Sequence, residues 1–403
     1  MRIAIITCGM LPIPAVQGGA VENLIDFYLE HNDKERLHDI TVYSPWHPKV
    51  KTHPALKSDV NRYVFIDVTS LRARIARRFY GKRHRGEYYN HFIEYYFEKV
   101  FAHLKKQNYD IILLENSPGH ALKLSQRGYH NLMLHLHNDL LNADSQQHDV
   151  IFSSLSKILT VSDFVKGRVS TIHPSSKIRT VYNGIDLAQF HANATGAVKR
   201  KDVGFSDEDF VMVYSGRINP EKGISELIDA TALLLKRIPS LRLLILGSSF
   251  FNDAKCENAF ILSLREKAKS IEDKIFFTGF IPYPQVSSYL HLADIAVLPS
   301  MWEEPFGLTI VEAMAVGLPL VTTRSGGIPE ICEGVATIVE RHDIVNNLVS
   351  AILDLYEHPE KRQQMAAASV ERAKQFDKET YAKSIFQALE PAKKREMRNE
   401  EEE

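Results

Sequence analysis

Met301-Trp302-Glu303-Glu304-Pro305-Phe306-Gly307-Leu308-Thr309-Ile310-Val311-Glu312-Ala313-Met314-Ala315 joins two kinds of structure. The short apolar run Ile295 to Leu298 before it reads as a strand ending near Pro299, and Thr309 to Val316 is apolar enough to be a helix packed on a sheet. A strand, a loop and a returning helix make half of a βαβ unit. In such folds the helix N-terminus faces the crevice at the carboxyl ends of the strands.

The same alternation extends in both directions. Ile3 to Thr7, Ile40 to Tyr43, Tyr63 to Ile66, Ile111 to Leu114, Leu132 to His135 and Ile158 to Val161 are candidate strands of one doubly wound α/β sheet. A second series follows: Val211 to Ser215, Leu241 to Leu246, Ile275 to Thr278, Ile295 to Leu298, Leu320 to Thr322 and Thr337 to Val339. Two Rossmann-like domains are therefore expected, 1–190 and 203–376. Between them lie the turn signal Tyr182-Asn183-Gly184 and the aperiodic segment His191 to Asp202. Val345 to Leu389 is helical in pattern, with a break near Pro359. The charged tail, 392–403, reads as solvated and disordered.

Composition narrows the function. Lys plus Arg number 49 against 50 Asp plus Glu, so no long-range field attracts nucleic acid. Cys8, Cys256 and Cys332 fit neither a disulfide framework nor paired metal ligands, which suits a reducing cytoplasm. No apolar run is long enough for a membrane span, and Ile3 to Ile6 is too brief for a signal core.

Chemistry concentrates in a few words. Amides at the start of the predicted helix, Gly307, Leu308 and Thr309, suit a diphosphate, and Gly307 allows close approach. Glu312, expected in the first turn, could accept hydrogen bonds from a ribose diol, and Glu304 could reach a sugar. Taken singly, these acids are equally a solvated loop acid and a helix-capping acid. Tyr214-Ser215-Gly216-Arg217-Ile218-Asn219-Pro220-Glu221-Lys222-Gly223 sets two cations just beyond a strand, where Arg217 can grip phosphate bidentately and Lys222 supplies a point charge. Ordinary surface charge is the alternative for either alone.

In the first half, Gly18 and Gly19 open a helix after the first strand, as a phosphate-approaching loop or as a simple tight turn. The spacing G-x-G-x-x-G is missing, which counts against a dinucleotide enzyme. In His135-Leu136-His137-Asn138-Asp139, His137 is the candidate and His135 is expected to face the sheet packing. A zinc reading of the two histidines lacks third and fourth ligands nearby in sequence. Asp207-Glu208-Asp209 reads as a turn before a strand, and no metal is expected.

These words together resemble the Glu-x7-Glu signature of the retaining glycosyltransferases of family 4, here Glu304 to Glu312. The flanking Ala293 to Ser300 and Ala315 to Val321, and the Gly216-Arg217 and Glu221-Lys222-Gly223 words upstream, look like that family's too. The resemblance implies the GT-B architecture, two Rossmann-like domains facing across a cleft, with the C-terminal helix, about 377–391, returning to the first. It also implies a nucleotide-sugar donor, a uridine nucleotide carrying a hexose being the family's common form, and a glycan or lipid-linked acceptor in cell-surface polysaccharide or glycoconjugate synthesis. No cofactor and no metal are implied. Glu304, His137, Arg217 and Lys222 become the catalytic set. Gly18, Gly19, Phe306, Gly307, Leu308, Thr309 and Glu312 become the donor-binding set. A silent binding or surface-assembly protein on the same fold is the competing reading.

Arg72, Arg74, Arg77, Arg78, Lys82, Arg83 and Arg85 follow one another without an acid, interleaved with Leu71, Ile75, Phe79 and Tyr80. Two readings stand side by side: a solvated face, and a peripheral contact with the anionic inner face of a membrane.

Overall fold

The computed structural model describes residues 1–83, 91–191, 198–248 and 259–390. Arg85, Cys256 and the charged tail lie outside them. The chain divides into two units, Met1–Gly184 with Lys378–Glu403, and Ile185–Asp377.

The first unit holds a parallel sheet of β1 (Arg2–Ile6), β2 (Asp39–Pro45), β3 (Asn61–Ile66), β4 (Ile111–Glu115), β5 (Leu132–Leu136), β6 (Leu155–Thr160) and β7 (Ile178–Thr180), in the order β3-β2-β1-β4-β5-β6-β7. Helices cover parallel sheets on both faces, so such strands are apolar throughout rather than alternating. Every residue of β4 is buried, Glu115 included. The seventh strand was not anticipated: Ile-Arg-Thr is too short and too polar to stand out in sequence.

Helix Ala20–Glu35 buries Leu24, Ile25, Tyr28 and Leu29, the i, i+3, i+4 stripe of a helix lying on a sheet. Helix Lys378–Leu389 packs against it, with the Tyr28 ring 6.4 Å from Tyr381 and 6.1 Å edge-on from Phe386. The last helix thus belongs to the first unit.

The second sheet runs β8 (Phe210–Ser215), β9 (Leu241–Leu246), β10 (Ile275–Phe277), β11 (Ile295–Leu298), β12 (Leu320–Thr323) and β13 (Thr337–Val339), all parallel, in the order β10-β9-β8-β11-β12-β13. Helix Leu308–Val316 buries Ile310 to Ala315 continuously, as its uniformly apolar sequence requires. The helices Ile344–Glu357 and Pro359–Ala373 meet at His358, where the proline stops the first.

The chain enters the second unit at Ile185, ahead of position 190. The Ile185 amide donates to the Phe376 carbonyl at 2.9 Å, and Ile185 pairs in parallel with Asp377. Helix Leu187–His191 follows inside the same unit, with Phe190 fully buried.

Removing the Phe386 ring leaves a cavity beside Tyr28 and His38. Phe386→Ala should destabilise the first unit by about 3–5 kcal/mol. Scanning calorimetry should show one transition lowered and the transition of the second unit unmoved.

Candidate active site

In an open parallel sheet, ligands bind beyond the carboxyl ends of the strands where the strand order reverses. That point lies between β8 and β11 in the second unit and between β1 and β4 in the first. The loops leaving β8 and β11 carry Arg217, Lys222, Glu304 and Gly307, so the sheet topology and the motifs select the same place.

These two loops touch through their backbones. Gly223 has φ of 70°, and a Cβ there would lie 2.0 Å from the Pro299 carbonyl oxygen. The Met301 amide donates to the Glu221 carbonyl at 2.8 Å. From the loop after β12, the Gly327 amide donates to the Glu304 carbonyl at 2.7 Å, and a Cβ on Gly326 would meet that oxygen at 2.1 Å. Only glycine fits either contact, so Gly223 fixes the start of the loop at Pro299 and Gly326 holds the Glu304 backbone.

The Glu304 carboxylate forms an ion pair with Lys222, from a position 82 residues away in the chain. Ser300 Oγ donates to the same oxygen, Oε1, at 3.0 Å, and the Lys222 ammonium lies 5.4 Å from the Trp302 ring centre. Arg217 is exposed on the same loop as Lys222 and forms no ion pair among the described residues; its carbonyl accepts from the Tyr214 hydroxyl at 2.8 Å. Of the two cations that follow β8, Lys222 is bound to a carboxylate and Arg217 is exposed to solvent.

Helix Leu308–Val316 begins immediately after Gly307, whose φ of 110° turns the chain into it. Gly307, Leu308 and Thr309 are half-buried at its start. Glu312 accordingly sits in the second turn, not the first, and is buried. Burial pushes its carboxyl up to about 7, while a hydrogen bond from Tyr283 opposes the shift. The Phe306 ring packs edge-on against Phe376, 5.7 Å between centres, so Phe306 offers the crevice its backbone and not its ring.

In the first unit, Gly18 and Gly19 precede helix Ala20–Glu35 as expected for a loop leaving β1. Burial raises two of the acids in that helix, Glu22 and Asp26, to about 7 each, and Asp26 accepts the Ala15 amide at 2.8 Å.

His137 lies just past β5, its Nε2 2.8 Å from Glu115 Oε2. His135 does not face separate packing. Residues two apart on a strand share a face, so both imidazoles converge on Glu115, with His135 Nδ1 at 3.1 Å and the two rings 4.2 Å apart. The Tyr28 hydroxyl donates to the other Glu115 oxygen at 3.0 Å. Burial alone would raise the Glu115 carboxyl, yet the two histidines hold it well below the usual carboxylate range. Burial and the neighbouring His135 lower His137 to about 4, against the pull of Glu115. A neutral His137 that donates from Nε2 keeps a lone pair on Nδ1, and that buried atom has no partner among the described residues.

Glu115 also supplies the third group that the zinc reading lacked, from the neighbouring strand. The three ligand atoms lie within 4.8 Å of one another. A structural zinc takes four ligands, and Glu115 already accepts from His137 and Tyr28. Asp209 of the acidic triplet accepts the Ser206 amide and pairs with Arg242 at 3.1 Å, a turn tied to the sheet.

Sequence reading missed Glu115, Ser300, Tyr283 and Gly326. Ser300 and the Gly326-Gly327 pair stood beside strand ends and were within reach of inspection. Glu115 and Tyr283 were not, because only sheet adjacency and helix packing bring them to His137 and Glu312.

Two doubly wound parallel units, with the last helix in the first of them, are the architecture of the GT-B glycosyltransferases. Residues 197–372, most of the second unit, match the family Glycosyl transferases group 1. It is 27% identical to spore coat protein SA of Bacillus subtilis over 383 residues, 92% of this chain and 93% of that protein. It is 25% identical over 259 residues to the lipopolysaccharide 1,2-N-acetylglucosaminetransferase of Salmonella typhimurium, 62% of this chain and 66% of that enzyme. Its fold is similar to the crystal structure of Anabaena Alr3699/HepE in complex with UDP, with a TM-score of 0.73 and 21% identity, covering 96% of this chain and 99% of that one.

The raised Glu312 carboxyl has a consequence for stability. Its folded value lies above its unfolded one, so its favourable contribution is complete below pH about 4.5 and is lost as pH rises through about 7. In ligand-free protein, the transition of the second unit should fall between mildly acidic and mildly alkaline pH. Glu312→Gln should flatten that slope, read by thermal unfolding across the range.

Proposed function

We propose that this chain transfers a hexose from a nucleoside-diphosphate sugar, uridine-linked, to a glycan or lipid-linked acceptor, with retention of configuration, in the synthesis of cell-surface polysaccharide or glycoconjugate. The observation that carries the reading is the meeting of Lys222 and Glu304 at the reversal between β8 and β11, beside the helix start at Gly307.

The donor diphosphate would lie against Arg217, Lys222 and the amides of Gly307 to Thr309. Cations and helix-end amides stabilise charge that develops on a leaving diphosphate, and they are in place before reaction. In the ligand-free protein the Lys222 ammonium is neutralised by Glu304. An arriving diphosphate competes for that ammonium and frees the carboxylate to accept sugar hydroxyls. Glu304 then orients the hexose and is not a nucleophile; orientation supplies a large share of the barrier reduction. Glu312, in its buried position, is assigned to the ribose diol. The departing phosphate takes the acceptor proton in front-face attack, and no metal or cofactor enters the scheme.

His137, Gly18 and Gly19 are assigned to the transferred sugar on the resemblance to family 4. The unpartnered Nδ1 of His137 suits a sugar hydroxyl as donor, and the Glu115 contact fixes which nitrogen carries the proton. The protein is read as cytoplasmic, in peripheral contact with the inner face of the membrane.

Spore coat protein SA, similar along nearly the whole chain, is named for a surface assembly, and this favours a second reading, a structural protein that binds nucleotide sugar without transfer. Thermal shifts against a panel of nucleoside diphosphate sugars, followed by assay of donor consumption, separate the two. Glu304→Ala should lose transfer by a hundredfold or more, an order-of-magnitude expectation, while nucleotide affinity stays level or rises because Lys222 is released. Lys222→Ala should lose both. Unchanged transfer in Glu304→Ala would remove that residue from the mechanism.

A further inference from the structure

Helix Leu71–Arg83 has two unlike faces. Toward the fold it turns Ala73, which is buried, Arg77, whose guanidinium donates to the Val68 carbonyl at 3.1 Å, and the half-buried Tyr80. The spacing i, i+4, i+7 makes these one face. On the opposite side Leu71, Ile75 and Phe79 stand 67%, 50% and 58% exposed. Their i, i+4, i+8 spacing makes a single apolar ridge along the helix.

At about 100° per residue, Arg74 and Arg78 fall on one flank of that ridge, Arg72 on the other, and Lys82 between Leu71 and Ile75. All four are exposed, and none forms an ion pair among the described residues. No acid occurs between Leu71 and Arg83. The nearest before the helix, Asp67, is used at its start, accepting the Thr69 and Ser70 amides at 3.0 and 2.9 Å.

A merely solvated face would not place three large apolar side chains in register at its centre, where each stays in contact with water. A nucleic-acid face would place its cations at the centre and polar groups between them. Here the apolar ridge is central, Arg72, Arg74 and Arg78 border it and Lys82 stands beyond Phe79 at its C-terminal end, which matches a plane that is oily within and negatively charged at its edge.

We propose that this helix lies along an anionic lipid bilayer, with Leu71, Ile75 and Phe79 at the acyl boundary and Arg72, Arg74, Arg78 and Lys82 at the headgroup phosphates. This narrows the membrane contact proposed above to one helix face. It stands independently of the transfer chemistry, because none of these residues belongs to the donor crevice.

The test is co-sedimentation of the full-length protein with vesicles of phosphatidylcholine alone and of phosphatidylcholine with phosphatidylglycerol. The protein should pellet with the anionic vesicles only, and added salt should release it. Arg74→Gln with Arg78→Gln should weaken binding roughly 30-fold, each cation near the surface being worth about fivefold. Ile75→Ser with Phe79→Ser should abolish it, since a single remaining apolar contact cannot hold a helix at the interface. Unchanged nucleotide-induced thermal shifts in both variants show that the fold and the donor crevice are intact, so failure here is distinguishable from failure of the transfer reading. Equal binding to neutral vesicles, no binding to either kind, or wild-type binding by both variants overturns the proposal. So does gel filtration in which the wild type is a dimer and the serine variant a monomer with vesicle binding unchanged.

Discussion

Where β8 and β11 lie side by side, their following segments leave the sheet toward opposite faces, and the gap this creates is the constraint on which the second unit's chemistry depends. A gap of this kind is useful only if its walls are held at fixed spacing. Here the spacing is set by backbone on backbone, with Gly223 against Pro299 and Gly326 against Glu304. Side chains could relax by rotamer changes, but carbonyls in contact with α-carbons cannot. The position of the Glu304 carboxylate is therefore fixed by the main chain from which it extends.

The two polar clusters are built on opposite electrostatic principles. Lys222 and Glu304 are opposite charges at a partly open crevice, where solvent and an incoming anion can compete for either partner. Glu115 is a fully buried carboxylate, and such a charge is tolerable only when its lone pairs are satisfied. Tyr28, His135 and His137 do this together. The first arrangement can be exchanged. The second is part of the core, and it determines the orientation of the nearly buried His137 imidazole just past β5.

Much of this was legible in the sequence, for particular reasons. The β11 run Ile295–Leu298 is apolar from end to end and the β9 run Leu241–Leu246 is so but for Arg242, as doubly covered parallel strands are, so their bounds could be read directly. β7 could not, because three residues carry too little pattern. Lys222 and Glu304 were readable as separate words. Their contact was not, since it comes from strands that are neighbours in the sheet but 82 residues apart. Glu115 was hidden for the same reason: nothing near His137 in sequence shows that β4 runs beside β5. The basic stretch after Leu71 was plain, yet the side on which its apolar residues lie depends on which face Ala73 and Arg77 bury.

The Tyr28, Tyr381 and Phe386 cluster joins the first helix of the chain to the last. Topologically, the second unit is an insertion into the first, interrupting it after Gly184 and returning it at Lys378. A ribosome therefore finishes the inserted unit before it has made the last piece of the surrounding one. The nascent first unit waits with one side of helix Ala20–Glu35 uncovered, and its apolar face is sheltered only when Lys378 to Leu389 have been translated.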